Sequence, residues 1–396
     1  MKKASKLLRN ITSVFLLSMV LGACGTLSNQ KIFAPPVRNE IPEYPARAVQ
    51  HSVLSVLWRV SLSSSDSEPV EKDQFSSPAV DSDGLRVFVG SFSGIFGCYD
   101  ARTGKTLWTN LVEGPFDATP LVSDGIVYAG TGAGKLFAWR KTDGGLLWSY
   151  TASSSIDATP LLESDKLIIA TDSNELTCLD SMTGKWFWTY KRDVPSGKFQ
   201  LKGISRPMVH DGAVFVGFSD GSVAKLSLDD GSVLSLKKLS KSTDGFSDVD
   251  SEPVFIDEDT VLFGTYSEGL VAMATSDLRI KWTHKAKIIS SMAMSKNGVV
   301  YYSTSDSKIE AFDTKSKRLI WRFDARKGAL SKPIITKTWI MVSSGEHSLL
   351  VLDARTGQLL QVFNPGKGSN SAPTIHGNKA FWISNGQTLY GMSLVN

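Results

Sequence analysis

The chain has 396 residues, a length that on its own favours two or three domains. Its formal net charge is +4, and four of its cations, Lys2, Lys3, Lys6 and Arg9, lie in the first nine residues. Without this segment the charge is close to zero, so the composition gives no indication of a basic body that binds nucleic acid.

The first 23 residues have the pattern of a lipoprotein signal peptide. The four cations precede an apolar run at residues 11–20, and Leu-Gly-Ala-Cys follows at residues 21–24. The run is too short to span a bilayer comfortably, although an ordinary signal peptide or a membrane helix remains an alternative. Small residues before a cysteine are typical of a lipobox, in which the cysteine is acylated and becomes the first residue of the mature chain. We therefore predict lipidation at Cys24.

Residues 24–53 are predicted to form a flexible tether between the lipid and a globular body. Pro35, Pro36, Pro42 and Pro45 occur among polar residues without a sustained hydrophobic period. Gly25 stands where an Asp would resemble the inner-membrane retention signal of bacterial lipoproteins. That resemblance implies attachment to the outer membrane, facing the periplasm.

Residues 54–396 form one series of repeats, which overrides the expectation of several domains. The stretch Asp-Ala-Arg-Thr-Gly-Lys-Thr-Leu-Trp at residues 100–108 returns in similar form at residues 180–188 and 353–361. Its Asp bonds its own backbone and its Gly accepts a positive φ, so it predicts a tight turn before an apolar strand. The positions equivalent to Trp108 are 58, 108, 148, 188, 235, 282, 321 and 361. Intervals of 39 to 50 residues between them predict a β-propeller.

Each repeat contains four short strands, and a proline marks the first of them. The marker positions are 78, 120, 160, 207, 253, 333 and 373, with Met292 in the remaining repeat. From each marker to the next Trp position the chain needs 28 to 30 residues, whereas the links between repeats vary from 10 to 20. Three links are long, at residues 61–77, 191–205 and 237–251. We expect all links to lie on one face of the ring.

The last repeat lacks its fourth strand. Pro373 predicts a Trp position near residue 401, beyond Asn396. Residues 52–62, which include Trp58, are a strand left over before the first complete repeat. We therefore predict an all-β fold, an eight-bladed β-propeller of four-stranded blades that the N-terminal strand closes, so that the ring has no free edge.

The tryptophans and cysteines of the repeats are predicted to be structural. A Trp at the same place in successive blades is a large apolar residue that packs one sheet against the next, with a cofactor-binding aromatic box as the alternative. Cys98 and Cys178 occupy equivalent strand positions in non-adjacent repeats. Burial as small apolar residues is therefore favoured over a disulfide between them.

The turn pattern resembles that of the quinoprotein-like propellers, whose repeat ends in Thr-Gly-Lys-x-x-Trp. Enzymes of that family hold pyrroloquinoline quinone against a disulfide between adjacent cysteines, with a Ca²⁺ site and an Asp base. Here Cys98 and Cys178 are 80 residues apart, and the five histidines have no metal-ligand spacing. We therefore predict a protein that is not an enzyme and needs no cofactor or metal.

Two consecutive long links carry residues that the repeat does not explain. Phe-Gln-Leu-Lys-Gly-Ile-Ser occupies residues 199–205, and Asp-Val-Asp occupies residues 248–250, before Pro253. In these stretches the chain resembles the lipoprotein propellers of the outer-membrane β-barrel assembly (BAM) complex. Members of that family carry Leu-x-Leu-Arg-Gly in one loop and Asp-Val-Asp before a proline in the next.

The resemblance implies a non-catalytic scaffold that binds a POTRA domain of BamA and assists the insertion of β-barrel proteins into the outer membrane. Matched position by position, it implies a binding site of Phe199, Leu201, Lys202, Asp248 and Asp250. Lys202 keeps the charge of the family's Arg but lacks its bidentate fork, and Phe199 replaces a Leu. The other BAM lipoproteins and client β-barrel proteins are further implied partners.

Two alternatives remain open for the function: a periplasmic quinoprotein-like enzyme, and a lipoprotein propeller that binds glycans or cell-wall material. The site has an alternative of its own, since Asp248 and Asp250 could cap turns before a strand. Asp250 repeats the place of Asp117 and Asp157, three residues before a proline, whereas Asp248 has no such counterpart.

Overall fold

The computed structural model describes residues 39–40, 52–62, 73–193, 204–239, 248–249, 251–346 and 348–395. All of them belong to one compact unit, Pro36–Asn396. They form strands and turns, and none of them lies in a helix long and apolar enough to cross a membrane. Cys24 and most of the predicted tether lie outside the described residues.

The described strands form eight sheets, which are numbered here as blades in the order of their first strands. Each blade contains four antiparallel strands, given below from the innermost to the outermost. The number of blades and the number of strands in each confirm the prediction from the repeats.

Blade 1 consists of Ala79–Val80, Arg86–Gly90, Ile95–Asp100 and Thr106–Leu111. Blade 2 consists of Leu121–Ser123, Ile126–Gly130, Lys135–Arg140 and Leu146–Thr151. Blade 3 consists of Leu161–Glu163, Lys166–Thr171, Glu175–Asp180 and Trp186–Lys191. Blade 4 consists of Met208–His210, Ala213–Gly217, Ser222–Ser227 and Val233–Lys238.

Blade 5 consists of Val254–Asp257, Thr260–Gly264, Leu270–Ala274 and Ile280–His284. Blade 6 consists of Ile289–Met294, Val299–Thr304, Lys308–Asp313 and Arg318–Asp324, with Asn39–Glu40 added in parallel to the last strand. Blade 7 consists of Ile334–Ile335, Trp339–Ser344, Ser348–Asp353 and Leu359–Phe363. Blade 8 consists of Thr374–His376, Lys379–Ile383, Thr388–Leu394 and Leu54–Ser61.

The middle strands of the blades form the core. Every residue of Ile126–Gly130 and of Ala213–Gly217 is buried, because neighbouring blades cover both faces of these strands. Such strands are continuously apolar rather than alternating. Outer strands such as Thr106–Leu111 are mostly exposed and bury Trp108.

The marker prolines set where the first strands begin. Seven of the eight first strands start directly after a proline, as Leu121–Ser123 does after Pro120. Proline has no N–H to donate to a strand ladder, so pairing cannot extend through it. Blade 6 has Met292 instead, and its first strand, Ile289–Met294, begins three residues before that position.

The N-terminal strand closes the ring, as predicted. Leu54–Ser61 pairs antiparallel with Thr388–Leu394, with Leu54 opposite Leu394 and Ser61 opposite Thr388. The first strands of blades 1 and 8 also contact each other. Trp58 packs against Phe381, with ring centroids 6.0 Å apart.

The tryptophans join successive blades, which confirms their structural interpretation. Trp108 Nε1 of blade 1 donates a hydrogen bond to the carbonyl of Lys141 in blade 2, at 3.1 Å. Its ring covers Gly144, where an added Cβ would lie 2.6 Å from the indole. Gly144 also has a φ of 74°. Both the positive φ and the close contact with the indole therefore require a glycine at this position. Trp58, Trp148, Trp188 and Trp321 make the same contacts with the next blade.

Gln361 replaces the tryptophan where the ring is closed between the two ends of the chain. Its Oε1 accepts hydrogen bonds from the N–H groups of Val53 and Leu54, each at 2.7 Å. Its Nε2 donates to the carbonyl of Leu54 at 3.1 Å. In most of the other blades a Trp stacks on the glycine of the turn between the third and fourth strands, but blade 8 has no such turn because the chain is interrupted there. The Gln361 side chain instead forms hydrogen bonds with the backbone N–H and C=O groups at the start of the closing strand.

The antiparallel order divides the turns between two faces of the ring. The turns between first and second strands and between third and fourth strands lie on one face, called the turn face. The turns between second and third strands lie on the other, called the link face, with the links between blades. The Asp/Thr-Gly turns are therefore on the turn face, and the long links are on the link face, as expected.

Candidate partner-binding site

The predicted partner-binding residues belong to two consecutive junctions on the link face. The first leads from blade 3 to blade 4, and the second leads from blade 4 to blade 5. Blades 3 and 4 share one hydrophobic cluster and blades 4 and 5 share another, so the junctions are neighbours. Phe199, Leu201, Lys202 and Asp250 lie outside the described residues, whereas Asp248 is described.

Both ends of the first junction are fixed to blade 4. Arg192, which follows the outer strand of blade 3, pairs with Asp220 of blade 4 at an N–O distance of 2.9 Å. At the other end Ile204 is buried, and the Ser205 hydroxyl accepts a hydrogen bond from the Gly217 N–H at 2.7 Å. The two described ends of the first junction, at Arg192 and at Ser205, are therefore both held by contacts with blade 4.

Asp248 and its neighbour Val249 are held between the link-face turns of blades 4 and 5. The Val249 N–H donates to the carbonyl of Phe218 at 3.1 Å, and the Tyr266 N–H donates to the carbonyl of Asp248 at 2.9 Å. Asp248 is 2% exposed. Asp248 stays a predicted partner-binding residue, and the structure places its side chain inside the junction between blades 4 and 5. A substitution at this position therefore also disturbs the junction itself.

Val249 has a structural role that the repeats share. Phe116 and Ile156 also lie four residues before a marker proline, and both are buried. Their N–H groups donate to the carbonyls of Ser91 and Thr131, as Val249 does to its own neighbouring blade. An apolar residue four positions before the proline was a signal of this role in the sequence.

The residue before each marker lines a central cavity of about 670 Å³. These residues are Ser77, Thr119, Thr159, Arg206, Glu252, Ser291, Lys332 and Ala372. Five of them are small or hydroxylated, and three carry charge. Sequence reasoning missed this set, although its fixed place before each marker could have revealed it.

Arg206, Glu252 and Lys332, the three charged residues that precede a marker, form one cluster beside the two junctions. Arg206 Nη1 lies 2.9 Å from Glu252 Oε1, and Lys332 pairs with the other oxygen of the same carboxylate. Asp157 lines the same cavity, and the pKa of nearby Asp117 is raised by burial and then by the charge of Asp157. The central cavity therefore has charged and hydroxyl groups on part of its lining, beside apolar residues such as Phe75 and Leu330.

The described residues contain no group of three or more His, Cys, Asp or Glu side chains that could hold a metal ion. Cys98 and Cys178 are free and buried, which confirms their interpretation as packing residues. Burial raises the pKa of each thiol to about 12. Both are therefore protonated and unreactive near neutral pH.

The closed ring of eight four-stranded blades with Asp/Thr-Gly turns defines a β-propeller of the quinoprotein-like repeat class. A family model described as outer membrane protein assembly factor BamB matches residues 48–115, 98–323 and 281–394. The chain belongs to this family. The prediction of a non-catalytic protein agrees with membership of a family of assembly factors.

The curated relatives carry the same family description. Outer membrane protein assembly factor BamB of Taylorella asinigenitalis (strain MCE3) is 31% identical over 390 residues, which cover 96% of each chain. The protein of that description from Legionella pneumophila (strain Paris) is 24% identical over 200 residues, which cover 49% of this chain and 52% of its own. The chain thus spans about half the length of this second relative.

Solved structures confirm the fold. The crystal structure of BamB from Moraxella catarrhalis has a TM-score of 0.74 at 21% identity, covering 86% of this chain and all of that one. Quinohemoprotein alcohol dehydrogenase from Comamonas testosteroni has a TM-score of 0.68 at 13% identity, covering 86% of this chain and 76% of that one. At these identities the likeness extends to the fold alone.

Proposed function

We propose that this chain is a lipid-anchored scaffold of outer membrane protein assembly. Cys24 attaches it to the outer membrane on the periplasmic face, and the link face binds a POTRA domain of BamA. The propeller itself performs no chemistry and positions its partner near the membrane. The other BAM lipoproteins and client β-barrel proteins are further partners of the same assembly.

One observation supports this contact above the others: two neighbouring junctions with fixed ends meet on one face of the ring. Fixed ends lower the entropy that a loop loses when it binds, so a modest set of contacts suffices. Phe199 and Leu201 supply an apolar centre, with Lys202 as a charged neighbour. Buried apolar anchors usually contribute more to affinity than charges at the rim.

Asp248 contributes in a different way from the exposed residues. Because it is buried between blades 4 and 5, it holds the second link in the conformation that the partner meets. Asp250 then belongs to the contact itself. The BamA surface that fits this arrangement offers an apolar pocket and a carboxylate for Lys202.

Co-purification from detergent-solubilised membranes tests the proposal. BamA should accompany the wild-type chain, and a Phe199→Ala and Leu201→Ala double variant should lose it. Lys105→Glu is the matched control, because Lys105 belongs to a repeated turn on the turn face. Retention of BamA by the double variant would refute the site. Retention of glycan without BamA by the wild-type chain would refute the function.

A further inference from the structure

The turn face has an uneven distribution of charge. In the turns of blades 6, 7 and 8 seven cations accompany two acids, Asp313 and Asp353. The cations are Lys296, Lys315, Lys317, Arg318, Lys337, Arg355 and Lys379. In the turns of blades 3, 4 and 5 the balance is reversed, with ten acids and three cations. The turns of blades 6, 7 and 8, with their seven cations, are called the basic surface.

The charges of the basic surface are available to a partner. Six of its seven cations are exposed, and Lys379 is half-buried. Within the described part of the chain, none of the seven takes part in a salt bridge. The two acids accept hydrogen bonds inside their own turns, as Asp353 does from the Arg355 N–H at 3.0 Å and the Thr356 hydroxyl at 2.8 Å. The surface therefore has a net positive potential.

A partly apolar groove of about 660 Å³ opens within this surface, between blades 7 and 8. Its apolar lining includes Ile335, Trp339, Ile375 and Leu394, and its polar lining comes from the turns and includes Lys337. Arg355 is adjacent, because the N–H of the residue before it, Ala354, donates to the carbonyl of Thr338 in the groove wall. Cations around an apolar groove match a ligand with an anionic head and hydrocarbon chains.

The closing strand of the ring begins at the same face. Leu54 is the first residue of the outer strand of blade 8, opposite Leu394, at the turn face. Asn39–Glu40 pairs in parallel with Phe323 and Asp324, at the link-face end of the outer strand of blade 6. If Cys24 is lipidated as proposed above, the anchor keeps the ring beside a bilayer that the basic surface can contact. The predicted BamA contact is on the opposite face and stays accessible.

We infer that the basic surface of blades 6 to 8 docks on a bilayer that contains anionic phospholipid. The lysine and arginine side chains contact lipid phosphates, and the groove between blades 7 and 8 receives part of an acyl chain. This contact orients the ring, because a flexible tether alone fixes only the maximum distance from the membrane. It leaves the link face directed away from the bilayer, towards a partner in the periplasm.

Vesicle sedimentation with residues 25–396 tests the inference without the lipid anchor, since this segment contains the complete ring and lacks Cys24. One set of vesicles contains phosphatidylcholine alone, and the other contains phosphatidylcholine and phosphatidylglycerol in equal amounts. The chain should bind only the second set, and binding should weaken as salt is added. Inorganic phosphate at matched ionic strength should leave binding unchanged; displacement by phosphate would indicate a simple anion site and overturn the membrane contact.

A pair of triple variants with equal changes of net charge locates the contact. Lys315→Glu, Lys337→Glu and Arg355→Glu together should weaken binding to the anionic vesicles by about a hundredfold or more. The matched control replaces Arg102, Lys105 and Lys185 by Glu. These residues belong to turns of blades 1 and 3 on the same face, and the control should bind like wild type. Equal loss in both variants, or wild-type binding of the first, would overturn the inference.

A neutral substitution tests the groove separately. Ile335→Gln removes an apolar wall residue without changing charge, and it should weaken binding to the anionic vesicles while circular dichroism still shows the folded ring. Unchanged vesicle binding would refute the contact between the groove and an acyl chain. BamA binding, measured in parallel, should be unaffected by all these variants, so a failure of the membrane contact is distinguishable from a failure of the proposed function.

Discussion

Gln361→Ala should loosen the closure of the ring. In the wild-type chain this buried amide makes three hydrogen bonds to the backbone of Val53 and Leu54, two at 2.7 Å and one at 3.1 Å. Gln361 is 9% exposed, so water cannot readily replace the lost partners. The substitution leaves two N–H donors and one carbonyl without their side-chain partner at the start of the closing strand.

The expected magnitude follows from these three bonds. Each contributes about 1 kcal/mol net, and a buried group that loses its partner costs a similar amount or more. We therefore expect the free energy of opening Leu54–Ser61 from blade 8 to fall by about 3 kcal/mol. The ladder with Thr388–Leu394 remains, so the ring should still form under native conditions.

Hydrogen–deuterium exchange is the suitable assay, because it reports local opening of the closing strand. A loss of about 3 kcal/mol corresponds to roughly a hundredfold faster exchange of the amides in Leu54–Ser61. The middle strands of blade 4, such as Ala213–Gly217, should exchange as in wild type. Gln358→Ala is the control, since Gln358 is exposed in the preceding turn. Wild-type exchange of Leu54–Ser61 in Gln361→Ala would refute the closure mechanism.

Three further predictions concern the anchor, the closing strand and the thiols. Cys24→Ala should release the chain from the membrane fraction while the ring still folds, and retention after a high-salt wash would contradict the lipid anchor. Deletion of residues 52–62 should lower the melting temperature far more than deletion of residues 25–44, because it removes a strand ladder and Trp58; equal melting temperatures would refute closure by this strand. Cys98 and Cys178 should resist alkylation at pH 8 in the folded chain and react after unfolding, since burial raises the pKa of each thiol to about 12; labelling of the folded chain would contradict their burial.

The fold was largely predictable because the repeats place the same residue type at the same structural position. The constant spacing from marker proline to Trp position reflects four strands of fixed length. The glycine of the Asp/Thr-Gly turn reflects both a positive φ and the Trp ring above it. Gln361 departs from the repeat. Its hydrogen bonds to the closing strand could not be predicted from the other repeats, because blade 8 alone takes its four strands from two separate segments of the chain.

The N-terminal segment shows a limit of sequence reasoning. Residues 24–53 have the composition of a tether, yet Asn39–Glu40 pairs with the outer strand of blade 6. A pairing of two residues leaves no periodicity to detect, and it depends on an exposed strand edge elsewhere in the ring.

The candidate site was only partly predictable for a related reason. Its stretches were found because they depart from the repeat and resemble a family motif. The burial of Asp248 depends on how an irregular link packs between blades 4 and 5, which the repeat does not determine. Val249, Arg206 and Glu252 occupy repeated positions, so their places on the link face could have been inferred from Phe116 and the marker prolines.

Titration of the mature chain with the purified POTRA region of BamA tests the central claim most directly. The wild-type chain should bind, and Leu201→Ala should weaken binding by about 1–3 kcal/mol, which is roughly fivefold to 150-fold in Kd. Lys105→Glu should bind like wild type, and circular dichroism should show the same fold for all three proteins. Absence of binding by the wild-type chain, or wild-type affinity of Leu201→Ala, would contradict the account.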